Sequence, residues 1–389
     1  MSKLQVLFNS AIQPLPAIED QSFASDFDSF AGKQVMLLGD GSHETSEFYS
    51  ARAEITKRLI ERHGYTMVAV EADWPDAEAI NRYVRLRPGP KSQLGGIAKG
   101  YERPSTDFQH GCGVTLEMQQ LVEWMRDRNQ RLPPERRAGF YELDLYSMGA
   151  SIGAVIDYLD RVDTQASKQA RRRYECLEPW IDDPTRGLRD GDEYHSGEQN
   201  AYLIRDAEKN YKAMYYSSAS SWNLRAIHMF ETLERLLQHH EGQKAIVMGF
   251  RRKELNIGQL CRERLGRENV TILGCGTHTG TVAAAHEWDD DSWEIIAHDT
   301  EVPSFVLDLR QNRIDTSLRA ALAAEQRLQR FIGVIYRPDT ERISHYSQVF
   351  LHKQFDGYIW FDETQAVSSL EVVQPDTPLG KGETYPFGL

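Results

Sequence analysis

Short apolar runs recur along the chain, several of them separated by segments of helical periodicity. Gln34–Leu38 ends at Gly39, and Met67–Glu71 ends at Asp73-Trp74-Pro75. Phe140–Leu145, Lys244–Met248, Val270–Leu273, Phe305–Leu309, Phe331–Tyr336 and Tyr358–Phe361 follow. Their length, their Val, Ile, Phe and Tyr content and the turn residues behind them predict buried strands. Between the first two runs, Phe48, Ala51, Ile55 and Leu59 share one helical face. Glu44 and Glu47 favour the positive end of its dipole, and Gly64 stands where a helix stop belongs.

Strand, helix and strand in so short a span predict a βαβ unit, hence parallel strands and a right-handed crossover. The ends of both strands, near Gly39 and Glu71, then share one edge of the sheet, where open α/β sheets bind their ligands. From Ser147 to about His240 the pattern changes. Ile152, Val155, Ile156 and Leu159 mark one amphipathic helix, and Ala201–Tyr216 and Trp222–His240 suggest two more. The expected architecture is α/β, a mostly parallel or mixed sheet flanked by helices. Residues 1–146 and 241–389 form its core domain, and 147–240 form an all-helical insertion.

Composition narrows the field. The 389 residues carry a net charge of −13, which argues against nucleic acid or an anionic membrane as the main partner. Cys112, Cys176, Cys261 and Cys275 show no paired spacing, so reduced thiols are expected rather than a disulfide framework or a zinc knuckle. No basic region followed by an apolar run opens the chain, and no stretch approaches the ~20 apolar residues of a membrane span. A cytoplasmic location is the expectation.

The loop after the first strand holds the candidate chemistry. It reads Gly39-Asp40-Gly41-Ser42-His43-Glu44, with Arg52 on the following helix and Glu71 and Asp73 at the end of the second strand. One imidazole, up to three carboxylates and one guanidinium at a sheet edge suit hydrolysis. A neutral imidazole accepts a proton from water, a carboxylate on its other nitrogen fixes the tautomer, and a cation or backbone amides offset charge on a carbonyl oxygen. The bland alternative is a solvated polar loop, with Arg52 turned to solvent or paired with Glu47 or Glu71. No metal is expected, because His43 with Asp40 and Glu71 lacks a second strong ligand at clear spacing. No cofactor is expected either, since Gly39-Asp40-Gly41 lacks the rest of a dinucleotide fingerprint.

The stretch Leu37–Arg85, containing LLGDGSHETSEFYSAR, closely resembles the erythromycin esterase family. The resemblance continues through Gly139–Ser147, Ser221–Met229, Glu254–Gly266, Gly276–Ala285, Ile332–Tyr346 and Gln354–Val367. It implies metal-independent opening of an ester or lactone by water, a macrolide lactone in the name-giving members, with a small-molecule substrate and no cofactor. By match to the family, His43 is the general base, Glu71 an active-site carboxylate and Arg52 the helix arginine. Asp40 stands where the family usually has Glu, and Glu44 where it usually has Gly. Asp73, Trp74 and His278 are candidate substrate contacts.

Three departures matter. After Val247 the family carries a segment like Ala-His-Asn-Ser-His, with its second active-site histidine; this chain runs directly into Met248-Gly249. His278, in Gly-Thr-His-Thr-Gly, is the nearest substitute, and its bland reading is a loop histidine of no catalytic use. Pro104–Leu116 lacks the family's aromatic and basic stretch, and the region around Asp182–Ser196 is short. Ala226 also replaces an Asp of the Asn-Leu-Arg-x motif. Two readings follow, an esterase or lactonase with His43 as base, and a catalytically impaired homologue that keeps the fold and binds a small molecule.

Overall fold

A computed structural model describes residues 2–87, 115–144, 155–156, 159–161, 163–174, 202, 206, 218–240, 242–248, 256–282, 291–332 and 340–367. Ten strands are described: β1 (Ile12–Pro14), β2 (Val35–Leu38), β3 (Tyr65–Asp73), β4 (Gly139–Asp144), β5 (Lys244–Met248), β6 (Val270–Gly280), β7 (Ser304–Asp308), β8 (Arg327–Arg330), β9 (Tyr346–Val349) and β10 (Gly357–Thr364). Eight of them form one sheet in the order β1-β7-β10-β6-β2-β5-β3-β4, and β8 pairs with β9. From β10 through β4 every neighbour is parallel. β7 runs antiparallel to β10, and β1 antiparallel to β7. The α/β class with a mostly parallel sheet is as expected.

β2 shows why its sequence is a strand. Val35 and Leu37 point into one hydrophobic cluster, Met36 and Leu38 into the other, and all four are fully buried. A strand covered on both faces has no polar side to alternate with, so its signature is a continuous apolar run. On one face the helix Ser46–Arg62 buries Phe48, Ala51, Ile55 and Leu59. It stops at Gly64, whose φ of +72° suits a residue without a Cβ. On the other face the helix Ser218–His239 packs Met229, Phe230, Leu233 and Leu236 into the cluster that holds Tyr141 and Leu143 of β4. Among the described residues of 147–240 there are helices and no strand.

Three features differ from the strand pattern. β2 and β3 are parallel, yet β5 lies between them, so the two ends of the first βαβ unit are separated by one strand. The run Phe331–Tyr336 forms no regular strand where it is described. The chain leaves β8 at Arg330, and Ile332 makes a single parallel bridge with Ser42; residues 333–339 lie outside the described residues. β6 in turn runs seven residues beyond Leu273, because its glycines leave room for Phe355, Tyr358 and Trp360, the last two from β10. Among the described residues no helix is long and apolar enough to cross a membrane.

Candidate active site

The loop after β2 is pinned on both sides. His43 N–H donates to Ile332 O at 3.0 Å, and Ile332 N–H to Gly41 O at 2.9 Å. Thr45 Oγ1 donates to Ser42 Oγ at 3.0 Å. Gly41 lies against the β6 backbone so closely that a Cβ there would stand 2.7 Å from Cys275 O, which excludes every other residue without a shift. The next position but two carries strain: Glu44, exposed, has φ +56°. A glycine would hold that conformation without the Cβ clash.

This loop presents His43 to Asp40. Nδ1 of His43 lies 3.1 Å from Asp40 Oδ2, so a side chain one methylene shorter than Glu still reaches the ring. When Nδ1–H donates to that carboxylate, Nε2 is left as the acceptor a general base needs. Arg52 Nη1 approaches the same Oδ2 at 3.5 Å, and its guanidinium lies 4.3 Å from the centre of the Tyr49 ring. Asp40 and Arg52 are buried, and His43 is nearly so. Of the three orientations open to Arg52 in the sequence, the structure adopts the inward one, with Asp40 as partner.

Glu71 belongs to a second network two strands further along, beyond β5. Arg225, from the helix Ser218–His239, donates through Nε to Asp144 Oδ1 at 2.9 Å and through Nη2 to both Asp144 and Glu71. All three are buried. Glu71 ends the regular part of β3 and Asp144 ends β4, so two adjacent parallel strands hold the acids and a helix over the sheet supplies the cation. Arg225 and Asp144 are residues that the strand and loop pattern did not single out. A signal was present, since both fall within stretches that carry the family resemblance, and Arg225 sits beside the substituted Ala226.

Asp73 pairs with Asp144 through the backbone and Trp74 opens the next helix, but their side chains lie outside the described ones. Most of Pro104–Leu116 and all of Asp182–Ser196 lie outside the described residues as well. His278 projects from the far end of β6 and stacks on His298, with ring centres 3.6 Å apart and planes at 9°. Burial lowers its pKa to about 4, with the neighbouring His298 adding to the effect. Its company is thus His298 and Asp362.

A groove of about 510 Å³ opens beside Gly39 and Asp40, with Asn256, Arg262, Phe331, Lys353 and Phe355 among its walls. That size suits a small molecule. Cys275, beside Gly41, and Cys261 are buried free thiols, both pushed up to about 12 by burial, so neither is a thiolate near neutrality.

Comparison with known proteins agrees with this architecture. The family model described as erythromycin esterase matches residues 60–189 and 184–364. Among solved structures, a succinoglycan biosynthesis protein is similar at a TM-score of 0.72 and 19% identity, over 94% of this chain and 97% of that one. A Bacillus cereus protein is similar at a TM-score of 0.69 and 17% identity, over 95% and 99%. A mutant of the erythromycin esterase EreC in its open conformation is similar at a TM-score of 0.60 and 14% identity, over 91% and 98%. At such identities the likeness is one of fold.

Proposed function

The chain belongs to the erythromycin esterase family, and on that premise we propose that it hydrolyses a carboxylic ester or lactone with His43 as general base. The observation that carries the reading is the 3.1 Å contact between His43 Nδ1 and Asp40, the pairing that orients an imidazole as a base through Nε2. His43 Nε2 takes a proton from water as the water oxygen adds to the ester carbonyl carbon. The tetrahedral intermediate then expels the alkoxide, which takes that proton back from the imidazolium. One water is consumed, and a carboxylic acid and an alcohol leave. Asp40 orients the ring and offsets its transient charge. Arg52 acts on Asp40, whose carboxylate its guanidinium approaches at 3.5 Å while resting on the Tyr49 face. Glu71 is held with Asp144 by Arg225, two strands away from His43 along the sheet. The substrate is a small molecule, a macrolide lactone being the name-giving case, and the protein works in the cytoplasm.

The test is a panel of p-nitrophenyl esters, simple lactones and a macrolide, with the full chain and His43→Ala. General-base assistance predicts a loss of about 10²–10⁴-fold in turnover at unchanged melting temperature. Equal rates in the two proteins would overturn the assignment.

One observation favours the impaired homologue instead. β5 ends at Met248 between β2 and β3, and the family's second histidine follows that strand, whereas this chain lacks the segment. On that reading a lactone raises the melting temperature of the protein without being turned over, and His43→Ala has no rate to lose.

A further inference from the structure

We propose that His278, His298 and Asp362 form a binding site for a divalent transition-metal ion of the zinc class, separate from the His43–Asp40 pair. Three elements build it. In the parallel pairing of β6 with β10, Thr277 and Thr279 stand opposite Phe361 and Glu363, so His278 and Asp362 are side by side on neighbouring strands. The short helix Trp293–His298 lies against both strands and ends by setting His298 over them. The rings of the two histidines lie 3.6 Å apart, and His298 Nδ1 is 2.8 Å from Asp362 Oδ1. One donor atom from each residue lies within 4.8 Å of the other two.

Those separations are close to what an ion requires. Zinc–nitrogen bonds of about 2.0–2.1 Å in tetrahedral geometry put two donors about 3.3 Å apart. The Asp362–His298 pair is already inside that distance. Tilting the His278 ring out of the stack brings its nitrogen to the same point. Two imidazoles and one carboxylate match zinc, cobalt(II) or nickel(II) better than magnesium or calcium, which take oxygen donors. Three protein ligands leave at least one position for water, and the side chains of His298 and Asp362 are 42% and 26% exposed, so an ion has a way in. The backbone around the site is braced, since Arg330 donates through Nη2 to Thr277 O at 3.2 Å and to His278 O at 3.1 Å. That guanidinium faces the ion with a like charge, but Glu341 lies 3.5 Å from it and Asp362 contributes one negative charge to the ligand set.

A stacked histidine pair bonded to a carboxylate has a purely structural alternative, in which the three groups serve each other. The two differ in a direct measurement. Untagged, chelator-treated full-length protein is titrated with Zn²⁺ by calorimetry and with Co²⁺ by visible absorption, beside His278→Ala, Asp362→Asn and His43→Ala. The site predicts one saturable ion per chain and a cobalt d–d band. It also predicts a rise in Tm of about 3 °C at a hundredfold excess of zinc over Kd. All three are lost in His278→Ala and Asp362→Asn and kept in His43→Ala. Absence of saturable binding by the wild-type chain overturns the proposal, whether or not the variants fold. So does binding that survives both ligand substitutions, or that disappears in His43→Ala.

Discussion

Glu294 offers the most direct check on the electrostatics around β8 and β10. Its side chain is fully buried in the helix Trp293–His298. Oε1 accepts from Arg330 N–H at 3.0 Å, and Oε2 has no hydrogen-bond partner among the described residues. Burial raises its pKa from 4.5 to about 7, partly opposed by the Arg330 N–H and guanidinium. A carboxyl that holds its proton more tightly when folded stabilises the fold fully below the unfolded pKa, near 4.5. It loses that contribution as pH rises through about 7. The shift of about 2.5 units corresponds to about 3 kcal/mol at about 1.4 kcal/mol per unit. Glu294→Gln keeps the oxygen that accepts from Arg330 and carries no charge at any pH, so it removes this loss. Urea unfolding at pH 5 and pH 8 should give Glu294→Gln about the wild-type stability at the lower pH. At the higher pH it should be more stable than wild type by about 2–3 kcal/mol. Parallel profiles for the two proteins, or a variant destabilised equally at both values, would refute the reasoning.

Three further outcomes follow from local geometry. Asp40→Asn should lower turnover by about 10²-fold or more with little change in KM, because an amide stabilises neither the tautomer nor the imidazolium; steady-state kinetics on the ester panel check it. Glu44→Gly should stabilise the chain by about 0.5–1 kcal/mol in urea, since φ is +56° there, while Glu44→Ala, which keeps the Cβ, should be neutral. Gly276→Ala should cost about 3 kcal/mol or more, because its Cβ would stand 1.8 Å from the Tyr358 hydroxyl, whose ring is fully buried; a lowered urea midpoint at unchanged slope would show it.

The parts of this fold that are legible in the chain are those decided locally. β2, β3, β4, β5, β7 and β10 are legible because each is a short run rich in apolar residues and closed by turn residues. The loop from Gly39 to His43 is legible as candidate chemistry through its one imidazole, the acids at the two strand ends and Arg52 on the following helix. What escaped was decided at a distance. β1 is three residues long, and its pairing with β7 is made across nearly 300 positions of sequence. The continuation of β6 through Gly274 and Gly276 reads against strand on propensity, and holds because large aromatic side chains fill the space the glycines leave. Phe331–Tyr336 reads as a strand by composition, but Ile332 spends its backbone groups on Gly41 and His43.

Sheet order has the same character and the larger effect on the site. Nothing near Val247 says that β5 inserts between β2 and β3, yet that insertion turns one expected cluster into two. At about 4.8 Å per strand, His43–Asp40–Arg52 and Glu71–Arg225–Asp144 begin about 10 Å apart, on either side of the end of β5. In each network a buried arginine is paired with buried carboxylate, one in the first and two in the second, so the charged groups are held in place before a substrate arrives, which is the condition for electrostatic preorganisation. The two networks flank the end of β5 at Met248, and residues 249–255, which follow it, lie outside the described residues. On the proposed reading, water is activated beside β2 by His43 and Asp40, and Glu71 stands two strands away. On that reading the ester carbonyl lies at the β2 end of the sheet edge, within reach of His43, whose ring the buried Asp40 and Arg52 hold in place.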